Sequence, residues 1–266
     1  MKNKEKLVFG TTEWAASNVN IIKGCSNDCK YCFSKEMAIR FKRKTPENWK
    51  KEEVNWEAYN RTIKYREGYI MFPSTHDITP KHLNVAIEYL KRLLGEGNKV
   101  LIVSKPYFDC IKAICDTFTD YKTQILFRFT IGSVNSDTLR FWEPNAPDYL
   151  ERKQALIYAF EKGYQTSISC EPMLDNEIYK VIDDLLEYVT DAIWLGKMNF
   201  AIRRLRTNGQ LNDETLAATE QLLEWQNDKA ILNLYSCYRD NPKIKWKESI
   251  KKVVGIEVSK IKGEDK

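Results

Sequence analysis

The sequence predicts an α/β fold, an open, partial (βα)6 TIM-like barrel, on three observations. Short β-rich runs alternate with longer amphipathic stretches, the rhythm of repeated βα units around a parallel sheet. The rhythm yields six units with a seventh strand available, too few for a closed eight-fold barrel. The 266 residues, 43% of them hydrophobic, suffice for one large core. A single domain over 1–266 is therefore expected, with the barrel over about 15–240 and a C-terminal helix and tail over 241–266.

In order along the chain, strands are expected at 18–22, 68–72, 99–103, 124–131, 165–169, 191–195 and 230–235. Helices are expected at 80–94, 148–161, 176–188 and 213–226. Thr79 before Pro80 reads as an N-cap followed by proline at the first helical position. Within the first helix Leu83, Ala86, Ile87, Tyr89, Leu90, Leu93 and Leu94 fall mostly on one face. Gly95 and Gly97 stop it, and the run ending at Val103 starts the next strand. The same stop recurs at Gly163, ahead of the strand at 165–169. The tail 263–266 is expected to fray.

The 42 basic residues outnumber the 37 acidic ones by five, a mild excess spread along the chain that does not by itself argue for nucleic acid. The basic run Arg40-Phe41-Lys42-Arg43-Lys44 is the one local concentration and reads as a solvated face. Basic residues at Met1–Lys6 are not followed by an apolar stretch, so no signal peptide is expected. No apolar run approaches the ~20 residues of a membrane span. Seven cysteines, odd in number and mostly scattered, suit free thiols in a reducing cytoplasm better than a disulfide framework.

Chemistry is sought at the C-terminal strand ends, where α/β barrels and open parallel sheets place it. The first strand runs into Gly24-Cys25-Ser26-Asn27-Asp28-Cys29-Lys30-Tyr31-Cys32. Thiolates spaced as Cys25, Cys29 and Cys32 suit three irons of a [4Fe–4S] cluster and leave the fourth iron open. Gly24 lets the chain turn sharply into this loop. The alternative is a structural zinc site in a non-catalytic interaction module. It needs a fourth ligand, for which His76 or a distant cysteine is available.

The cysteine spacing, with the aromatic Tyr31 directly before the last cysteine, resembles the signature of the radical S-adenosylmethionine superfamily. The resemblance implies a radical SAM type of partial barrel, a [4Fe–4S] cluster, and S-adenosylmethionine chelated to the open iron. It also implies one-electron cleavage to a 5′-deoxyadenosyl radical, and hence an electron donor such as flavodoxin or ferredoxin. Thr12-Glu13-Trp14-Ala15, Ser104-Lys105, Glu143-Pro144-Asn145-Ala146-Pro147 and Glu151-Arg152 resemble the branch related to spore photoproduct lyase, over residues 12–174. Within that branch the compact chain resembles queuine lyases. These release 7-aminomethyl-7-deazaguanine in queuosine salvage, as a precursor for tRNA modification.

The resemblance assigns roles to the strand ends. Asp77 pairs with the methionyl ammonium, with Thr75 and His76 as hydrogen-bonding neighbours. Lys105, after Ser104, neutralises the methionyl carboxylate. Thr130 and Ser133 offer hydroxyls to the ribose or carboxylate, and Arg128 shares a strand face with Thr130. Glu143 and Arg152 are read as a structural pair that shapes their loop.

On the substrate side, Cys170 is a candidate to return hydrogen to a product radical, against the common role of cysteine as a small core residue. Glu171 can accept hydrogen bonds from the N–H edge of a queuine-like base. Lys197 and Asn199 are candidates for binding polar substituents or the cofactor, and Trp194 and Tyr235 for stacking on a flat ring. No second cysteine cluster suggests auxiliary iron–sulfur centres. The alternative to a small substrate is a radical lyase or modifying enzyme on DNA or RNA. That reading expects a basic groove beside the mouth, from Arg40, Lys42, Arg43, Arg203, Arg204 and Arg206.

Overall fold

Two runs, Val100-Leu101-Ile102-Val103 and Ile125-Leu126-Phe127-Arg128-Phe129, are apolar at nearly every position, as strands covered on both faces must be. In the computed structural model, which describes residues 8–264, they form the middle of a seven-stranded parallel sheet. The basic N-terminal stretch 1–6 and the last two residues of the tail lie outside the described residues. The strands are β1 (Ser17–Asn18), β2 (Tyr69–Met71), β3 (Lys99–Ser104), β4 (Ile125–Thr130), β5 (Gln165–Cys170), β6 (Ile193–Leu195) and β7 (Ile244–Trp246). They pair in sequence order, with β1 and β7 as the edges, so the partial TIM-like barrel is open on one side.

Besides a single helical turn at Trp56–Tyr59, the helices are α1 (Phe33–Arg40), α2 (Leu83–Gly95), α3 (Phe108–Thr117), α4 (Ser136–Trp142), α5 (Tyr149–Glu161), α6 (Ile178–Leu185), α7 (Ala201–Thr207), α8 (Asp213–Trp225), α9 (Asp228–Tyr238) and α10 (Glu248–Val254). Among the described residues none is long and apolar enough to cross a membrane. Strand alternation sorts the core into two parts. Val100, Ile102, Phe127, Phe129, Ile168 and Leu195 join the large core shared with the helices. Met71, Leu101, Leu126 and Trp194 face inward and meet Trp14 and Ala15 from the N-terminal segment.

Two expected strands differ. The run 18–22 is divided: Ser17–Asn18 pairs with β2, while Ile22–Lys23 pairs antiparallel with Glu53–Val54. Asn20 ends the first piece, because its side-chain carbonyl turns away to accept hydrogen bonds from Ser74 N at 2.7 Å and Thr75 N at 2.9 Å. The run 230–235 is not a strand but the middle of α9. Asn227 caps that helix by accepting from Ala230 N at 2.9 Å. Ile231, Leu234, Tyr235 and Tyr238 then fall on one helical face against the core. The last strand lies inside 241–266, where Ile244 and Trp246 alternate with a less buried Lys245.

The expected helices appear with shorter or adjusted ends. Asp148 caps α5, accepting from Glu151 N at 2.9 Å. Pro80–His82 forms a 3-10 turn before α2, and Thr79 makes no capping bond. Its hydroxyl instead donates to Glu52 at 2.8 Å. The described end of the tail is not loose, since Gly263 N donates to Thr12 O at 2.9 Å.

Candidate functional site

The loop carrying Cys25, Cys29 and Cys32 sits between the short ribbon Ile22–Lys23/Glu53–Val54 and the start of α1. Its entry needs glycine. Gly24 has φ +91°, and a Cβ there would lie 2.5 Å from Trp49 O and 2.7 Å from Lys51 O. Cys32 is the N-cap of α1, its sulfur accepting from Lys35 N at 3.3 Å. The Lys35 ammonium, fully buried, reaches back to Asp28 Oδ1 at 2.7 Å. From α7, Asn208 Nδ2 donates to the carbonyls of Lys30 and Cys32, both at 3.0 Å. The loop is thereby pinned from both flanks.

Cys25 and Cys29 are buried and Cys32 is half-buried. Burial pushes all three thiols up, and the Asp77 carboxylate adds to this at Cys25. Thiols that hold their protons this firmly ionise when a cation takes the proton's place. Three thiols on one loop can each take a separate metal ion of a cluster, releasing their protons as they bind. Among the described residues no three His, Cys, Asp or Glu side chains converge as ligands of a single ion. His76, the candidate fourth zinc ligand, has both ring nitrogens engaged. Nε2 accepts from Ile22 N at 3.3 Å, and Nδ1 lies 2.9 Å from Asp77 O. Burial lowers its proton affinity, in keeping with a neutral ring.

Asp77 joins the cysteine loop to the end of β3. Its Oδ1 accepts from Ser104 Oγ at 3.0 Å and Lys105 N at 2.7 Å. Oδ2 accepts from Asn27 Nδ2 at 2.8 Å and lies 3.7 Å from Cys25 Sγ. Burial alone would raise this carboxyl; Lys105 and these hydrogen bonds outweigh it and hold the group below its usual range. Lys105 Nζ stands between two carboxylates, 3.9 Å from Asp77 and 3.8 Å from Glu143. Burial would weaken its hold on the proton, but the Asp77 and Glu143 carboxylates beside it outweigh that and keep it charged.

Glu143 and Arg152 form the expected pair, 2.6 Å apart and fully buried. Tyr31 donates to the same carboxylate. Arg152 also holds Pro147 O at 2.8 Å and Thr130 O at 3.1 Å. Sequence reasoning missed Glu52, whose oxygens accept from Ser26 N at 2.9 Å and Thr79 Oγ1 at 2.8 Å. Nothing in Lys50-Lys51-Glu52-Glu53 separates it from its neighbours. Asn27, which donates to Asp77, was missed as well, because nothing inside the cysteine motif separates it from Ser26.

Thr75 is exposed, and Thr130 is half-buried on the inward side of β4. Ser133 is fully buried and donates to Asp175. Arg128 also points inward, donating to Ser167 Oγ at 2.9 Å and Asp191 at 2.8 Å. Its guanidinium lies 4.9 Å from the Trp14 ring and 5.1 Å from the Trp194 ring.

Beside these rings the barrel holds a second polar group. Lys247, just past β7, is 1% exposed and meets Glu13 Oε1 at 2.8 Å, Glu171 Oε2 at 3.3 Å and Gly10 O at 2.9 Å. Its ammonium sits 3.9 Å from the Trp14 ring. Gly196 leaves room for Glu171, whose Cγ would be 2.9 Å from an added Cβ. Lys247 was not singled out in the sequence, because Lys245-Trp246-Lys247 looks like ordinary surface alternation.

The remaining candidates are dispersed. Cys170 shares the outward face of β5 with Ile168, inside the helix-packed core and away from the inward-facing Ser167 and Ser169. Tyr235 is on α9, with its ring 5.2 Å from that of Trp246. Lys197 faces Asp228 at 3.5 Å, and Asn199 is half-buried ahead of α7.

A family model described as the radical SAM superfamily matches residues 19–189. Among curated proteins, the uncharacterized protein ORF301 of Acidianus two-tailed virus is 23% identical over 189 residues, 66% of this chain and 61% of that protein. The chain thus spans about three-fifths of that relative's length. A spore photoproduct lyase variant with bound AdoMet and dinucleoside spore photoproduct superposes with a TM-score of 0.56 at 14% identity, covering 92% of this chain and 79% of that one. SuiB of Streptococcus suis, bound to S-adenosylmethionine, gives 0.55 at 14% identity, covering 93% of this chain and 54% of SuiB. SuiB bound to its precursor peptide SuiA gives 0.55 at 14% identity, with 97% and 55% covered. At these identities the structural likeness is one of fold.

Proposed function

The chain belongs to the radical S-adenosylmethionine superfamily, whose enzymes use a [4Fe–4S] cluster and S-adenosylmethionine, and on that premise we propose that it is a lyase acting on a flat base of the queuine type. Cys25, Cys29 and Cys32 would hold three irons. When bound, the cluster supplies the electron that splits S-adenosylmethionine and so provides a carbon radical. Lys105, held between Asp77 and Glu143, would bind the methionyl carboxylate as a fixed cation. Asp77 would hold the loop in register with β3, while Thr75 and Thr130 offer hydroxyls to the rest of the cofactor.

The observation that carries the substrate reading is Glu171 at the end of β5. Lys247 holds its Oε2 at 3.3 Å and the Trp14 and Trp194 rings stand beside that ammonium. A carboxylate fixed in this way would accept N–H groups from the edge of a deazaguanine. Conversion of queuine to 7-aminomethyl-7-deazaguanine, in a reducing cytoplasm and with a donor of the flavodoxin or ferredoxin class, is the corresponding activity. A second reading, a radical lyase or modifying enzyme working on a base within nucleic acid, is supported by the basic face of α1 and α7.

Anaerobically reconstituted protein should carry about four irons per chain and form 5′-deoxyadenosine from S-adenosylmethionine with dithionite. Replacing Cys25, Cys29 and Cys32 by alanine should abolish both. Queuine incubated with the active protein should yield the aminomethyl base by mass spectrometry. Unchanged queuine in a reaction that still cleaves the cofactor would remove the queuine reading.

A further inference from the structure

The basic run after α1 does not stand alone as a solvated face. Arg40 closes α1, and exposed Lys42 and Arg43 come directly after it. Exposed Arg203 and Arg206 lie on α7, and α7 packs against α1. The fully buried Glu36 of α1 joins the two helices, 2.8 Å from Arg203 Nε. The loop beyond α1 meets the end of α7 where Pro46 would sit 3.2 Å from a Cβ on Gly209. Two basic segments far apart in sequence therefore form one surface.

That surface also exposes aromatic rings: Phe33 is 52% exposed, Phe41 59% and Phe200 64%. Cations are layered on them, with Arg43 5.2 Å from the Phe41 ring and Arg203 4.3 Å from the Phe200 ring. Arg204 continues the surface inward. Its guanidinium lies 5.4 Å from the Phe33 ring, and its Nε is 3.8 Å from Glu36 Oε2. The patch thus runs from solvent inward to the buried Glu36, on the helix that Cys32 caps.

We propose that this face of α1 and α7 docks single-stranded nucleic acid, with Arg40, Lys42, Arg43 and Arg206 on phosphates and Phe33, Phe41 and Phe200 stacking on bases. Exposed rings interleaved with arginine are suited to a single strand, because every base has a face to stack and every linkage a charge. The proposal deepens the second reading, a radical lyase or modifying enzyme working on a base within nucleic acid, and rests on that reading for the chemistry after docking. It says that the base arrives in a strand rather than free.

The test is fluorescence anisotropy of a labelled single-stranded RNA or DNA oligonucleotide against the cluster-loaded full chain, titrated at several salt concentrations. Affinity should fall steeply with salt. The Arg40→Gln/Lys42→Gln/Arg43→Gln variant should bind at least ten-fold more weakly, with a salt slope shallower by about 2. Phe41→Ala should weaken binding by about five-fold or more with the salt slope unchanged. Both variants should form 5′-deoxyadenosine with dithionite at the parent rate, which shows that they fold and keeps the result separate from the cofactor chemistry. The docking proposal is overturned if the oligonucleotide does not bind or if the triple variant binds it as the parent does. It is equally overturned if an acidic ferredoxin occupies these residues while the oligonucleotide does not. Failure of queuine turnover alone would leave it standing.

Discussion

Glu143 and Arg152 show what a single residue contributes at this site. Both are fully buried, and the carboxylate also takes the Tyr31 hydroxyl. Their pairing was legible through the family resemblance of the Glu143-Pro144-Asn145-Ala146-Pro147 and Glu151-Arg152 segments. The convergence of Tyr31 and Lys105 on the same carboxylate was not, since it depends on β3 and the cysteine loop meeting in space. Arg152→Met removes the nearer of the two cations at the buried Glu143 carboxylate and should lower unfolding free energy by about 3 kcal/mol, measured by urea denaturation. His76 carries a pH effect. Burial holds its imidazole below the ordinary value of 6.5, so the unfolded chain binds the proton more tightly. Its contribution is intact above pH 6.5 and is lost as pH falls from there through the folded value. His76→Gln should flatten the urea midpoint over that window. An unchanged pH dependence would show that the ring titrates normally.

Elements place the cysteine loop more than the loop places itself. Asn208 at the end of α7 commits both protons of its amide to the carbonyls of Lys30 and Cys32. Asn208→Ala should cost about 1–3 kcal/mol, because two part-buried carbonyls lose their donors. It should also speed the loss of iron–sulfur absorbance in air, and equal decay in parent and variant would refute the seating role. Gly24→Ala acts from the other flank, where its Cβ would strike two carbonyl oxygens at 2.5 and 2.7 Å. That variant should retain fewer irons after reconstitution, read by iron analysis. The central strands were legible because burial on both faces leaves an uninterrupted apolar run. The run 230–235 misled because Ala-Ile-Leu-Asn-Leu-Tyr is apolar enough for a strand. Its helical spacing becomes plain only when Tyr238 and the Asn227 cap are included. β1 was misplaced for a different reason: Asn20 leaves the sheet to bond a loop more than fifty residues away.

At the scale of the whole molecule, the open barrel is closed by contacts other than strand pairing. α1 meets α7 above the cysteine loop, Gly263 holds Thr12 O, and Lys247 reaches across the gap to Glu13 and Gly10 O. These joints link segments far apart along the chain, the lysine and Gly10 by 237 residues, which is why sequence patterning did not reveal them. Lys247 also fixes Glu171, so closure of the barrel and the proposed substrate carboxylate depend on one ammonium. Burial raises the Glu13 carboxyl, while Lys247 pulls it back down. Lys247→Met removes that restraint and should destabilise the fold by about 3–5 kcal/mol at neutral pH. The penalty should shrink in acid, where Glu13 takes up a proton instead of remaining a buried charge. Adding Glu13→Gln should recover part of the loss at neutral pH, because the double variant buries no orphaned carboxylate at that position. Urea denaturation of the single and double variants at two pH values measures the coupling. Strict additivity would mean that the N-terminal segment is held by its tryptophan packing alone, with no contribution from the ion pair.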